Sequence, residues 1–82
     1  MTTELVDVIA GVDTHAEAHH VAVIAATGAQ LGDGQFPTTT QGYRDLLRFI
    51  TARGRITTVG VEGTNSYGAE LARFLRQAGI KV

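Results

Sequence analysis

Two β-branched runs in this chain end alike: Gly11-Val12-Asp13 closes the first and Gly60-Val61-Glu62 closes the second. Val6 to Val12 and Ile56 to Val61 have the pattern of buried strands whose far ends reach a sheet edge. If the two strands are parallel neighbours, both carboxylates emerge at the same edge. In open α/β sheets that edge, beyond the carboxyl ends of the strands, is where ligands bind.

The rest of the apolar pattern supplies the elements around these runs. His20 to Ala26 is a second strand, and Thr27-Gly28-Ala29 turns the chain. Gln30 to Phe36 returns antiparallel, with Leu31 and Phe36 as its main apolar contributors. Thr38-Thr39-Thr40-Gln41 offers a capping box with Thr38 as the cap. Tyr43, Leu46, Leu47 and Ile50 follow at i, i+3, i+4 and i+7, the stripe of a helix that Gly54 ends. After Glu62, the residues Thr64, Asn65 and Ser66 are all good caps for a second helix. Its stripe is Tyr67, Leu71, Phe74, Leu75 and Ala78, with Gly79 at the C′ position. Ile80-Lys81-Val82 starts one more strand. The predicted order is β-β-β-α-β-α-β, truncated at the last strand, a mixed α/β sheet covered by helices.

Composition narrows the class. A chain of 82 residues is one small domain, burying about 60% of its unfolded surface. With 44% hydrophobic and 18% charged residues it is globular rather than disordered. The absence of cysteine excludes disulfides and thiolate zinc sites and suits a reducing cytoplasm. Met1-Thr2-Thr3-Glu4 carries no basic region ahead of an apolar run, so no signal peptide is expected. The apolar stretch Val21 to Ala26 is too short to span a bilayer, so no membrane role is expected. Net charge is −1, where a stand-alone nucleic-acid binder is usually basic. The basic residues (Arg44, Arg48, Arg53, Arg55, Arg73, Arg76 and Lys81) all fall in the C-terminal half. Arg44 with Arg48 and Arg73 with Arg76 read as solvated helix faces.

Asp13 and Glu62 are the candidate metal ligands and catalytic acids. Two hard oxygen donors suit Mg²⁺ or Mn²⁺. A pair of such ions about 4 Å apart activates a nucleophile and stabilises the leaving oxygen in phosphodiester chemistry. A plainer explanation stands beside this one: an Asp after a strand serves turns and caps, and a Glu before Gly is a solvated strand end. Starting at the first acid, Asp13-Thr14-His15-Ala16-Glu17-Ala18-His19-His20 packs three histidines and two carboxylates into eight residues. These histidines are taken as solvated loop and strand-edge residues, a transition-metal cluster being the other reading. His15 is the one placed to approach the acidic site. Thr64, Asn65 and Ser66 at a helix N-terminus could receive a nucleic-acid phosphate, and capping explains the same residues. Tyr67 is assigned to the core rather than to base stacking. Gly63 and Gly68 mark tight turning or close approach.

The segment from Gly11 to His15, with the strand Val21-Ala22-Val23-Ile24, resembles the first acidic motif of the DEDD transposases of the insertion-sequence "one-ten" family. The likeness continues through Phe36-Pro37-Thr38-Thr39, Gly42-Tyr43 and Leu46-Leu47. It is most specific from Val59 to Gly68, then Leu71-Ala72-Arg73 and Ala78-Gly79-Ile80. It implies a RuvC-like domain with a ribonuclease H-like fold, carrying four metal-binding acids, and a separate domain with a catalytic serine. By motif match Asp13 is the first acid and Glu62 the second. The remaining acids and the serine domain are expected outside residues 1–82, so this portion is expected to be inactive alone. Many members carry Lys where Ala16 stands, so a phosphate contact from that position is absent here. The implied activity is DNA transposition and recombination with Mg²⁺ or Mn²⁺. The implied partners are DNA, an element-encoded guide RNA, and a second copy or full-length transposase.

Two other classes compete. The first half of an actin-like ATPase or sugar kinase shares the strand order, but Thr14-His15-Ala16-Glu17 does not suit a phosphate cradle. A non-catalytic fragment that binds nucleic acid or transposase keeps the fold without the chemistry.

Overall fold

The computed structural model describes residues 6–63 and 66–82. The described residues form β1 (Asp7–Asp13), β2 (Ala18–Ala25), β3 (Gln30–Pro37), α1 (Thr40–Thr51), β4 (Arg55–Glu62) and α2 (Ser66–Gln77). The strands make one sheet in the order β3-β2-β1-β4. β1, β2 and β3 form an antiparallel meander, and β4 pairs with β1 in parallel. β3, α1 and β4 therefore form a crossover, the connection that parallel strands require.

Alternation along the strands sorts the sheet into two unlike faces. Val8, Ala10 and Val12 of β1 and Val21 and Val23 of β2 point inward and are buried. The helices close over them with Tyr43, Leu46 and Ile50 from α1 and Leu71 and Leu75 from α2. Each fully buried leucine or isoleucine contributes about 2 kcal/mol of transfer free energy. The opposite face carries Ile9, Gly11 and Asp13 of β1 beside His20, Ala22 and Ile24 of β2. No described helix covers that face, and Ile9 and Ile24 remain 46% and 39% exposed on it.

A single irregularity decides which face Glu62 joins. Val8 pairs with Ile56, but Ile9 pairs with Thr58, so Thr57 is an extra residue in β4. Counted in unbroken alternation from the inward Ile56, Glu62 would lie under the helices. The bulge shifts the phase, so Val59 and Val61 turn inward while Gly60 and Glu62 join the open face.

The structure corrects four local expectations. The cap of α1 is Thr39, not Thr38. Its backbone is extended (φ −142°, ψ 163°) and its side chain accepts from the Gly42 N–H. The Thr38 hydroxyl instead donates to the His15 carbonyl at 2.8 Å, and Gln41 bonds Asp45 rather than closing a capping box. Tyr67 is 38% exposed, and Gly68 takes the inward place expected of it. Ala78 is exposed beyond the end of α2, where Gly79 adopts φ 83°, the left-handed conformation of a C′ glycine. Residues 80–82 form no strand of their own, although the Lys81 carbonyl accepts from Val59 N–H at 2.9 Å. The architecture is a mixed α/β sheet with two helices, coarser than the complete seven-element order. No helix among the described residues is long and apolar enough to cross a membrane.

Candidate functional site

Asp13 and Glu62 are register partners on parallel strands, each the last residue of its strand. Adjacent strands lie about 4.8 Å apart, which makes these two carboxylates neighbours. Both are exposed on the open face of the sheet. The strand ends are locked together by Thr14, itself buried. Its N–H and its hydroxyl both donate to the Glu62 carbonyl, at 3.2 and 2.7 Å.

The register extends the pair sideways. Asp13 also faces His20 across β1 and β2, so Glu62, Asp13 and His20 stand in one row. Two residues back, Gly60, Gly11 and Ala22 form the parallel row, and the six residues line one groove. A Cβ at Gly11 would meet nothing within 4 Å, and one at Gly60 only the Ala10 carbonyl at 4.0 Å. The fold's own packing does not demand either glycine. Their smallness leaves the groove open, and glycine inside a strand often marks a bulge, a tight bend or a close approach by a ligand or another backbone.

The three histidines, expected to be solvated together, occupy three different environments. His15 is exposed, and its Nε2 lies 3.1 Å from Asp13 Oδ2. His20 Nε2 meets Asp33 Oδ2 at 2.8 Å across β2 and β3. His19 is wholly buried. Its Nδ1 accepts the His15 N–H at 3.2 Å, and its ring stacks on Tyr43 with centroids 5.7 Å apart. Burial pushes the His19 pKa below its ordinary 6.5; the charge of His15 adds to the fall and that of Glu70 opposes it. The correction follows from phase: His19 shares the inward face with Val21 and Val23, a signal the period of two already contained.

Tyr43 links this histidine to α2. Its hydroxyl donates to Glu70 Oε1 at 2.7 Å, and its pKa is raised to about 12 by burial, by that hydrogen bond and by the Glu70 charge. A raised phenol pKa stabilises the fold below pH 10.0, the ordinary tyrosine value, and that stability is lost as pH rises through about 12. Tyr43→Phe is expected to cost about 1 kcal/mol at neutral pH. It should also remove the alkaline loss carried by this residue. Denaturant titrations at neutral and alkaline pH measure both, and an unchanged alkaline limb would contradict the assignment.

Of the weaker candidates, Ser66 opens α2 and is exposed. Thr64 and Asn65 lie outside the described residues. Arg53, counted in the sequence only as a basic residue, has a structural role. Its guanidinium lies 3.5 Å from the Phe49 ring centre and donates to the carbonyls of Leu31 and Phe49. Among the described residues, no group of three His, Asp or Glu side chains is placed to hold a metal ion.

The described residues thus form an α/β domain with paired acids at the carboxyl ends of neighbouring parallel strands, beside an open groove, the edge at which open α/β sheets generally bind ligands. A family model for DEDD transposases of the IS110 type, described as Transposase, matches residues 10–82. The chain belongs to this transposase family. No curated protein matches it with significant similarity.

Proposed function

We propose that this chain is the N-terminal portion of a RuvC-like transposase domain, in which Asp13 and Glu62 are the first two ligands of a divalent-metal site. The observation that carries the reading is their pairing. Like charges directly opposite one another destabilise a sheet, and these two lie in register on the open face beside a groove. A cation between them turns that repulsion into a binding site.

The donor set fits Mg²⁺ or Mn²⁺, because both ions prefer carboxylate oxygens. When bound, such an ion would polarise a phosphodiester and lower the pKa of water. The chain's own residues do the positioning. Thr14 fixes the Glu62 backbone against the end of β1, and His15 holds one oxygen of Asp13. Two carboxylates are half of a four-acid set, so the proposal assigns the other two acids, and the catalytic serine, to sequence beyond this portion. DNA is the substrate in this reading. An element-encoded guide RNA and a second transposase copy are its further partners, and Ser66 and His15 stand at the edge they would approach.

Mn²⁺ is paramagnetic and broadens the signals of nearby nuclei. Added to the chain, it should first broaden the amide signals of residues 12–13 and 60–62. Broadening centred on Asp7, Asp45 or another exposed acid, with these residues spared, would count against the site.

A further inference from the structure

His19 is a costly residue to keep where it stands. Its ring is fully buried, and its Nε2 has no hydrogen-bond partner among the described residues. Buried polar groups without partners destabilise a fold. The neighbouring inward positions of β2 are filled by Val21 and Val23, and an aliphatic side chain would fill position 19 without that penalty. What imidazole adds is the lone pair of Nδ1, which accepts the His15 N–H at 3.2 Å. That bond places the ring proton on Nε2 and requires the neutral form.

The backbone of His15 is thereby held on both sides. His19 takes its N–H, and the Thr38 hydroxyl donates to its carbonyl at 2.8 Å. The imidazole is itself immobilised, stacked within 3° of parallel on Tyr43. Tyr43 is tied to α2 through Glu70 and packs against Phe74 with centroids 5.7 Å apart. Rigid contacts thus run from both helices, through one buried ring, to the backbone two residues after Asp13. The His15 side chain then reaches Asp13 Oδ2.

We propose that His19 is a positioning residue, whose neutral Nδ1 clamps the loop after β1 and so fixes the Asp13 carboxylate for its ligand. The functional part of this inference rests on the metal reading of Asp13 and Glu62; the clamp does not. Two variants separate the hydrogen bond from packing. His19→Leu removes the acceptor and keeps the apolar bulk. His19→Asn restores an acceptor, because its Oδ1 occupies nearly the place of the imidazole Nδ1.

Hydrogen exchange at the His15 amide reads the clamp, and Mn²⁺ titration reads its consequence. The leucine variant is expected to speed His15 exchange and to weaken Mn²⁺ binding by about tenfold or more, the scale for a supporting partner of a metal ligand. The asparagine variant should recover both. Wild-type His15 protection in the leucine variant would overturn the clamp, and unchanged Mn²⁺ affinity would overturn its role toward Asp13. If the leucine variant fails to fold, the asparagine variant decides: fast His15 exchange in a folded His19→Asn chain overturns the proposal. If the wild-type chain binds no Mn²⁺, the metal reading and the positioning role fall together, while the exchange data still judge the clamp.

Discussion

Gly42→Ala should destabilise the chain by about 3 kcal/mol or more, at or beyond the upper end of ordinary overpacking. A Cβ at this position would overlap the Pro37 carbonyl oxygen and lie 2.7 Å from its carbon. Neither side has room to yield. The Pro37 carbonyl accepts from Thr39 N–H at 2.8 Å, and Gly42 N–H donates to the Thr39 hydroxyl at 3.0 Å, the cap of α1. Relief of the clash breaks one of these bonds and moves the turn that brings Thr38 to the His15 carbonyl. A domain of 82 residues has only about 4–12 kcal/mol of stability in all. Urea denaturation should therefore show a large drop in midpoint. Gly11→Ala is the control: with open space around the new Cβ it is expected to be neutral or to add about 0.5 kcal/mol. A wild-type midpoint for Gly42→Ala would contradict the described approach of α1 to β3.

Asp13→Asn should separate stability from function, because it keeps the shape of the side chain and removes its charge. Without metal, the variant loses the repulsion from Glu62 and also the exposed contact with His15. Exposed ion pairs contribute little, so the variant is expected to be at least as stable as the wild type. With Mn²⁺ at about a hundred times its dissociation constant, the wild-type chain should gain about 2.7 kcal/mol. The variant should gain almost none. Within an intact transposase, DNA strand exchange should fall on the order of a hundredfold or more, the scale for losing one charge-stabilising group at a reacting centre. A variant that is less stable without metal but stabilised normally by it would reverse both halves of this expectation.

Much of this arrangement was legible in the sequence because it depends on local periodicity. The β-branched runs ending in Gly-Val-acid gave β1 and β4, and the 3.6-residue stripe gave α1 with Tyr43, Leu46 and Ile50 inward. That Asp13 and Glu62 meet follows from parallel pairing, which the sequence posed only as a condition. The exact register depends on the bulge at Thr57, and the spacing Ile56, Val59, Val61, three and then two, is its trace. The cap of α1 moved by one residue because the Thr38 hydroxyl is engaged by the distant His15 carbonyl, a contact no local pattern encodes. For His19 residue type and phase disagree: imidazole counts as polar, while its phase on β2 points inward. Tyr67 shows the opposite conflict: an aromatic at the start of a helix stripe lies exposed, and Gly68 packs close to Thr14 instead.

The paired acids remain the centre of the account, and titration of the chain with Mn²⁺ tests them most directly. The wild-type chain, Asp13→Ala and Glu62→Ala would be compared at one pH and ionic strength. One saturable site is expected in the wild type, and each substitution should lower its affinity by at least about tenfold, since a direct ligand matters no less than a supporting partner. Equal affinity in all three chains would show that the metal binds elsewhere and that the acids at the ends of β1 and β4 are not its ligands.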